Sequence, residues 1–176
     1  MTSPPPQRFG PHAVVRELGR GAMGIVFEAT RIPSGERVAL KILLGPAAAD
    51  AVLRFEREAA ALARVDHPGL LRVRAIGTSD TPPWIATELI DGESLRDRLK
   101  ASPERRLPPE EVRELGIRLS DALAACHRHR LVHRDVKPAN ILLDRSGRAV
   151  LGDFGLATTP FEAPEGWPGY HVLLSK

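Results

Sequence analysis

Between Phe9 and about Leu44 the apolar positions fall in short β-branched runs punctuated by glycine. Val14-Val15-Arg16-Glu17-Leu18 leads into Gly19, and Ile25-Val26-Phe27-Glu28-Ala29 leaves Gly24. Arg37-Val38-Ala39-Leu40-Lys41-Ile42-Leu43 follows a turn at Pro33-Ser34-Gly35, so three strands are predicted. The period then changes. Val52, Phe55, Ala59, Leu62 and Ala63 recur at helical spacing, which predicts a helix from Asp50, its N-cap, to about Val65, before His67-Pro68-Gly69. Strands from Leu70 to Ile76 and from Trp84 to Leu89 are predicted around the turn Ser79-Asp80-Thr81-Pro82-Pro83. Beyond Asp91-Gly92 the pattern becomes mainly helical. Ser94 opens a short helix through Leu99. Pro108-Pro109-Glu110-Glu111 starts a longer one, whose apolar stripe is Val112, Leu115, Leu119, Leu123 and Cys126.

A strand-rich part with one helix, then a helical part, predicts an α+β fold of two lobes with a ligand cleft between them. The predicted boundaries are a disordered proline-rich leader over 1–8, an N-lobe over 9–91, a partial C-lobe over 92–165 and a tail over 166–176. Composition changes little: 43% hydrophobic and 27% charged residues are ordinary for a globular chain. The net charge of +3 is mild, and the arginines form no basic stripe interleaved with aromatics, so no nucleic-acid partner is predicted. The single cysteine, Cys126, excludes an internal disulfide and suits a reducing compartment. No apolar run reaches membrane-span length, and Met1-Thr2-Ser3-Pro4-Pro5-Pro6 lacks a signal peptide's apolar segment. The expectation is a cytoplasmic chain with no membrane partner.

Gly19-Arg20-Gly21-Ala22-Met23-Gly24-Ile25-Val26 is a G-x-G-x-x-G-x-V string. Glycines there let backbone N–H groups approach phosphate oxygens. Dinucleotide-binding folds share part of the string, but they need a helix after the loop and an acid about twenty residues on. Here a β-branched and aromatic strand follows, and Lys41 closes Val38-Ala39-Leu40-Lys41. A lysine among apolar strand residues needs an anion, and nucleotide phosphates supply one. Its side-chain partner is predicted to be Glu58, with Glu56 as the alternative lying off the Phe55/Ala59/Leu62 face.

The second string is His133-Arg134-Asp135-Val136-Lys137-Pro138-Ala139-Asn140, with Asp153-Phe154-Gly155 starting thirteen positions after Asn140. Asp135 is the candidate catalytic carboxylate, accepting or orienting a hydroxyl proton, and Lys137 is placed to neutralise a transferring phosphoryl group. Asn140 and Asp153 are hard oxygen ligands suited to Mg²⁺. His129 and His133 stand at the spacing of a metal pair, but with no third ligand nearby an imidazole packed under Phe154 is the better reading. Arg134 is either a surface residue or a cation awaiting an anion on the later loop.

Together these strings resemble the eukaryotic-type (Hanks-type) serine/threonine protein kinases in the form common in bacteria, from Phe9 to about Ala157. The resemblance implies a two-lobed protein-kinase-like fold: an antiparallel sheet plus one helix in the N-lobe, and a truncated, mainly helical C-lobe. It implies ATP with Mg²⁺, or Mn²⁺, as cofactors and a protein Ser or Thr as acceptor. The glycines and Lys41 would hold phosphates, and the backbone at Glu88 and Ile90 would meet adenine, with Thr87 at the back of the pocket. Leu18, Val26, Ala39 and Leu142 would surround the ring. Lys137, two places after Asp135, is the pattern of Ser/Thr rather than Tyr specificity.

After Ala157 the likeness decays. Ala163-Pro164-Glu165 resembles the motif closing the family's activation segment, yet comes only twelve positions after Asp153. A shortened segment and a chance tripeptide both fit. Thr158 and Thr159 are the hydroxyls there that phosphorylation could set opposite Arg134. Family members continue through helices that bury the Val112-Leu115-Leu119-Leu123 stripe. Its exposure would forfeit on the order of 5–10 kcal/mol, against a domain stability of about 5–15 kcal/mol. A partner or second copy is therefore predicted over that helix. The alternatives carried forward are a non-catalytic ATP-binding regulatory module and an inactive truncated remnant.

Overall fold

A computed structural model describes residues 7–21, 24–43, 59–60, 63–77 and 82–152. Strands β1 (Arg8–Phe9), β2 (His12–Gly21), β3 (Gly24–Arg31), β4 (Arg37–Leu43), β5 (Val73–Gly77) and β6 (Trp84–Glu88) form one antiparallel sheet ordered β1-β2-β3-β4-β6-β5. Strict alternation in β4 builds it: Val38, Leu40 and Ile42 are buried, while Ala39, Lys41 and Leu43 stand half-buried on the other face. The first face packs Ala29, Val38, Leu40, Ile42, Trp84 and Ala86, with Phe9 stacked on Phe27 at 6.4 Å. Gly77 is required beneath Trp84, because a Cβ there would lie 2.1 Å from the indole. The opposite face buries Ala59 against Ile85, with Leu43, Val73 and Ile76 around them. Most of the helix predicted over 50–65 lies outside the described residues. Residues 59 and 60 are helical, and the Ala63 N–H donates to the Ala59 carbonyl at 2.9 Å.

The fifth strand begins later than predicted, at Val73 rather than Leu70. Leu70 is captured by the second core: it is buried there and bridges Leu151. The whole 67–71 segment is tied to that side. Leu151 N–H donates to Gly69 O at 2.8 Å, Leu71 N–H donates to Leu151 O at 3.0 Å, and His67 Nε2 lies 3.0 Å from Asp121 Oδ2.

The second part begins with β7 (Gly92–Ser94) and α1 (Leu95–Ala101), two residues longer than predicted. Its N-cap is Ser94, whose hydroxyl accepts from the Asp97 N–H at 3.1 Å. Helix α2 runs Pro109–Arg128, with Pro and two Glu residues in its first turn as the sequence predicts. A 3₁₀ turn at Pro138–Asn140 leads into β8 (Ile141–Asp144) and β9 (Ala149–Leu151), which join β7 in a three-stranded antiparallel sheet. The core between sheet and helix holds Leu95, Leu115, Ala122, Ala125, Cys126, Ile141, Leu143 and Leu151, with Leu119 and Leu123 partly buried. Val112 departs from the predicted stripe: it is 53% exposed in the first helical turn, and the buried seam starts at Leu115. Burial pushes the Cys126 thiol up to about 11, consistent with an inert core residue. The architecture is the predicted α+β arrangement.

Candidate active site

The β2–β3 hairpin presents the glycines. Gly24 sits at φ +152°, and a Cβ there would come 2.0 Å from the Ile42 carbonyl, so β4 closes against bare backbone. At Gly19 and Gly21 a Cβ would meet nothing within 4 Å, which leaves room for a phosphate beside the loop. Antiparallel partners share a face, and the register pairs Gly19 with Val26, Val26 with Lys41, and Ala39 with Thr87. Val26, Ala39, Lys41 and Thr87 therefore line one continuous patch. Leu18, unpaired at the register shift between Glu17 and Gly19, is 39% exposed. Glu58 and Glu56 lie outside the described residues.

On the same patch, Glu28 carries a carboxylate that sequence reasoning passed over. It is buried at 6% exposure and held across three strands by Arg37 Nη2 at 2.7 Å and Arg16 Nε at 2.9 Å. The Arg37 hydrogen bond, chiefly, keeps its carboxyl below the ordinary range. Only register reveals this bracket, because Arg16, Glu28 and Arg37 show no motif in sequence.

At the end of β6 the chain crosses from one sheet toward the other. Thr87 is buried, its hydroxyl 3.4 Å from Ala39 O and 3.3 Å from Glu88 O. Glu88 is fixed twice by Arg72: its N–H donates to Arg72 O at 2.9 Å, and its Oε1 accepts from the Arg72 N–H at 3.0 Å. Glu88 Oε2 accepts from Arg148 Nη2 at 3.4 Å. Ile90, two residues on, is half-buried. Leu142 is half-buried on β8, paired with Ser94 and Val150.

The loop between α2 and β8 brings the second string together. His133 is 1% exposed, with Nε2 3.0 Å from Gly152 O and Nδ1 accepting from the Asp135 N–H at 3.3 Å. These contacts select the Nε2–H tautomer and explain its burial better than a pairing with the exposed His129. Arg134 adopts φ 60°, turning the loop so that Asp135 can fold back. Asp135 Oδ2 receives Lys137 Nζ at 2.7 Å and Asn140 Nδ2 at 2.9 Å. The Lys137 bond first, and the Asn140 bond second, hold its carboxyl below the usual range. Asn140 Nδ2 also donates to Asp135 O at 2.8 Å, and Asn140 O accepts from the Gly152 N–H at 2.8 Å. Gly152 is thus bonded from both sides. Its chain neighbour Asp153 lies outside the described residues, as do Phe154, Thr158, Thr159 and 163–165. Among the described residues no group of three His, Cys, Asp or Glu side chains gathers to hold a metal ion. Asn140's carboxamide oxygen is a hard donor of the kind Mg²⁺ takes.

The described residues thus present an open glycine hairpin, a strand lysine and a pinned acid–amide pair. The protein kinase domain family matches residues 12–165, and the chain belongs to that family. It is 40% identical over 157 residues to CBL-interacting protein kinase 4 of Oryza sativa subsp. japonica, covering 86% of this chain and 34% of that protein. It is 38% identical over 153 residues to serine/threonine-protein kinase pkn2 of Myxococcus xanthus, covering 84% of this chain and 18% of that one. The PknI kinase domain of Mycobacterium tuberculosis superposes with TM-score 0.78 at 36% identity, covering 90% of this chain and 64% of that one. The chain thus spans about a third or less of the curated relatives named here.

Proposed function

We propose that this chain transfers the terminal phosphoryl group of Mg-ATP to serine or threonine hydroxyls of proteins. The observation that carries this reading is the Asp135 carboxylate, set by Lys137 at 2.7 Å and Asn140 at 2.9 Å at one end of a fixed loop. Asp135 orients the acceptor hydroxyl and holds its proton as the new P–O bond forms and the bond to the leaving diphosphate breaks. Lys137 sits beside it to offset charge on the phosphoryl oxygens. Lys41, on the Val26/Ala39 face, holds the non-transferring phosphates, with Glu58 as its orienting partner. Asn140 and Asp153 would hold Mg²⁺, which would offset phosphate charge, and Mn²⁺ would meet the same oxygen donors. Glu88 and Ile90 meet the adenine edge, and Leu18, Val26, Ala39 and Leu142 its faces. Gly19, Gly21 and Gly24 form the phosphate hairpin.

Serine/threonine specificity is supported by Lys137 at two places after Asp135 and by the name of the Myxococcus relative. The lobes are read as 9–91 and 92–165, with a leader over 1–8 and a tail over 166–176. A cytoplasmic setting fits the single buried Cys126. Among the described residues no helix is long and apolar enough to cross a membrane. The stripe expected to lie bare is largely taken up by this chain's own core, with Leu115 buried and Leu119 and Leu123 partly buried, so only Val112, 53% exposed, is left to support a partner or second copy over α2. The test is transfer of labelled phosphate from ATP to a generic protein substrate, alongside the Lys41→Ala variant. We expect turnover in the unmodified chain and a loss of roughly 100-fold or more in the variant. A thermal shift with Mg-ATP but no turnover would instead support a binding module, and neither response an inactive remnant.

A further inference from the structure

We infer that Arg148 is a positioning residue for the nucleotide: it fixes the Glu88 carboxylate and, through it, the backbone that meets adenine. This rests on the nucleotide reading above. Arg148 stands just before β9 and uses three guanidinium nitrogens on three acceptors. Nε donates to Asp144 Oδ2 at 3.1 Å, Nη1 to Pro68 O at 3.3 Å and Nη2 to Glu88 Oε2 at 3.4 Å. One side chain therefore joins the β8–β9 hairpin, the 67–71 segment and the end of β6.

The guanidinium is itself preset. Asp144 accepts from the Ser146 hydroxyl at 2.6 Å, the Ser146 N–H at 2.8 Å and the Arg148 N–H at 2.9 Å, so the turn holds the carboxylate that holds Arg148. The Glu88 side chain is 19% exposed and that of Arg148 36%, so this is not a fully solvated surface pair. Arg72 pins the other Glu88 oxygen and the Glu88 N–H. With side chain and backbone N–H both tied, residue 88 is ordered before a ligand arrives, and binding loses less chain entropy. A lysine cannot replace the fork, because one ammonium does not span three coplanar directions.

The test compares the full chain with Arg148→Lys, Arg148→Ala and Glu88→Gln, and with the Arg148→Lys/Glu88→Gln double variant. Mg-ATP and adenosine binding are read by calorimetry, kinetics by labelled transfer, and residues 87–90 by amide hydrogen exchange. Glu88→Gln keeps an acceptor for the Arg72 N–H while removing the charge that faces Arg148. Each single variant is expected to weaken Mg-ATP binding and raise its KM by roughly five- to tenfold, with kcat changed less than about twofold. Adenosine should lose the same factor, because the effect lies at the base and not at the phosphates. The double variant should bind no worse than the weaker single. Binding within about twofold of the unmodified chain for both Arg148 variants, with unchanged exchange at 87–90, would overturn the inference. So would a change confined to thermal stability. If the unmodified chain binds no nucleotide, the nucleotide reading fails. Exchange then decides the clamp alone: faster exchange at 87–90 in Arg148→Ala supports it, and unchanged exchange refutes it.

Discussion

The two halves of the site are held by different physics. On the six-stranded sheet, Val26, Ala39, Lys41 and Thr87 stand together because ladder register and a buried apolar face leave the chain no other alignment. On the loop after α2 no ladder exists, and Asp135 is placed by individual polar bonds from His133, Lys137 and Asn140. Many small contacts tolerate the loss of one. A loop held by a few individual hydrogen bonds does not where the bond is buried, as at His133, whose deletion leaves the Gly152 carbonyl without that partner. The sheet should therefore be the robust half and the loop the brittle one.

The largest effect on stability should come from the loop. His133→Leu removes a bond to Gly152 O and one from the Asp135 N–H at a 1% exposed position, and we expect a loss of about 2–3 kcal/mol by denaturant titration. A loss under about 0.5 kcal/mol would erase the contrast between the halves. The sheet has its own weak point where packing has no slack. Gly77→Ala drives a methyl into the Trp84 ring and should cost about 1–3 kcal/mol in the same titration, unless β5 and β6 slide apart.

A smaller effect concerns pH. His12 is fully buried, 4.8 Å edge-on from Trp84, and neither ring nitrogen has a hydrogen-bond partner among the described residues. Burial lowers its pKa from the ordinary 6.5. The unfolded chain then binds the proton more readily than the folded one, so stability is greatest above about pH 6.5 and falls as pH drops below it. His12→Leu should flatten that slope between about pH 6.5 and 5. A parallel pH profile in the variant would show that His12 is not its source.

The glycine hairpin, the Lys41 strand, and α1 and α2 were legible because each carries its own period or cap within a dozen or so residues. The loop string was legible as chemistry, and its bonds are local: Asp135, Lys137 and Asn140 lie within six positions of one another. What sequence could not show is what tertiary structure decides. Strands β7 and β9 have three residues each and β8 four, too short for alternation to register. Leu70 has strand-forming neighbours but is claimed by the core around Leu151. Glu88 was read for its backbone alone, because its carboxylate finds Arg148 sixty positions away. Val112 fits the helical period, yet among the described residues the core around α2 starts only at Leu115. Glu58 and Asp153 stay expectations of the sequence.

The most direct test of the central claim is Asp135→Asn, read in parallel for Mg-ATP binding and for transfer of labelled phosphate to protein. Asparagine keeps the size of the side chain but removes the charge that gathers Lys137 and, with it, the proposed base for the hydroxyl proton. We expect binding to hold within about threefold while transfer falls by roughly 100-fold or more. Transfer within about tenfold of the unmodified chain would contradict the role given to Asp135.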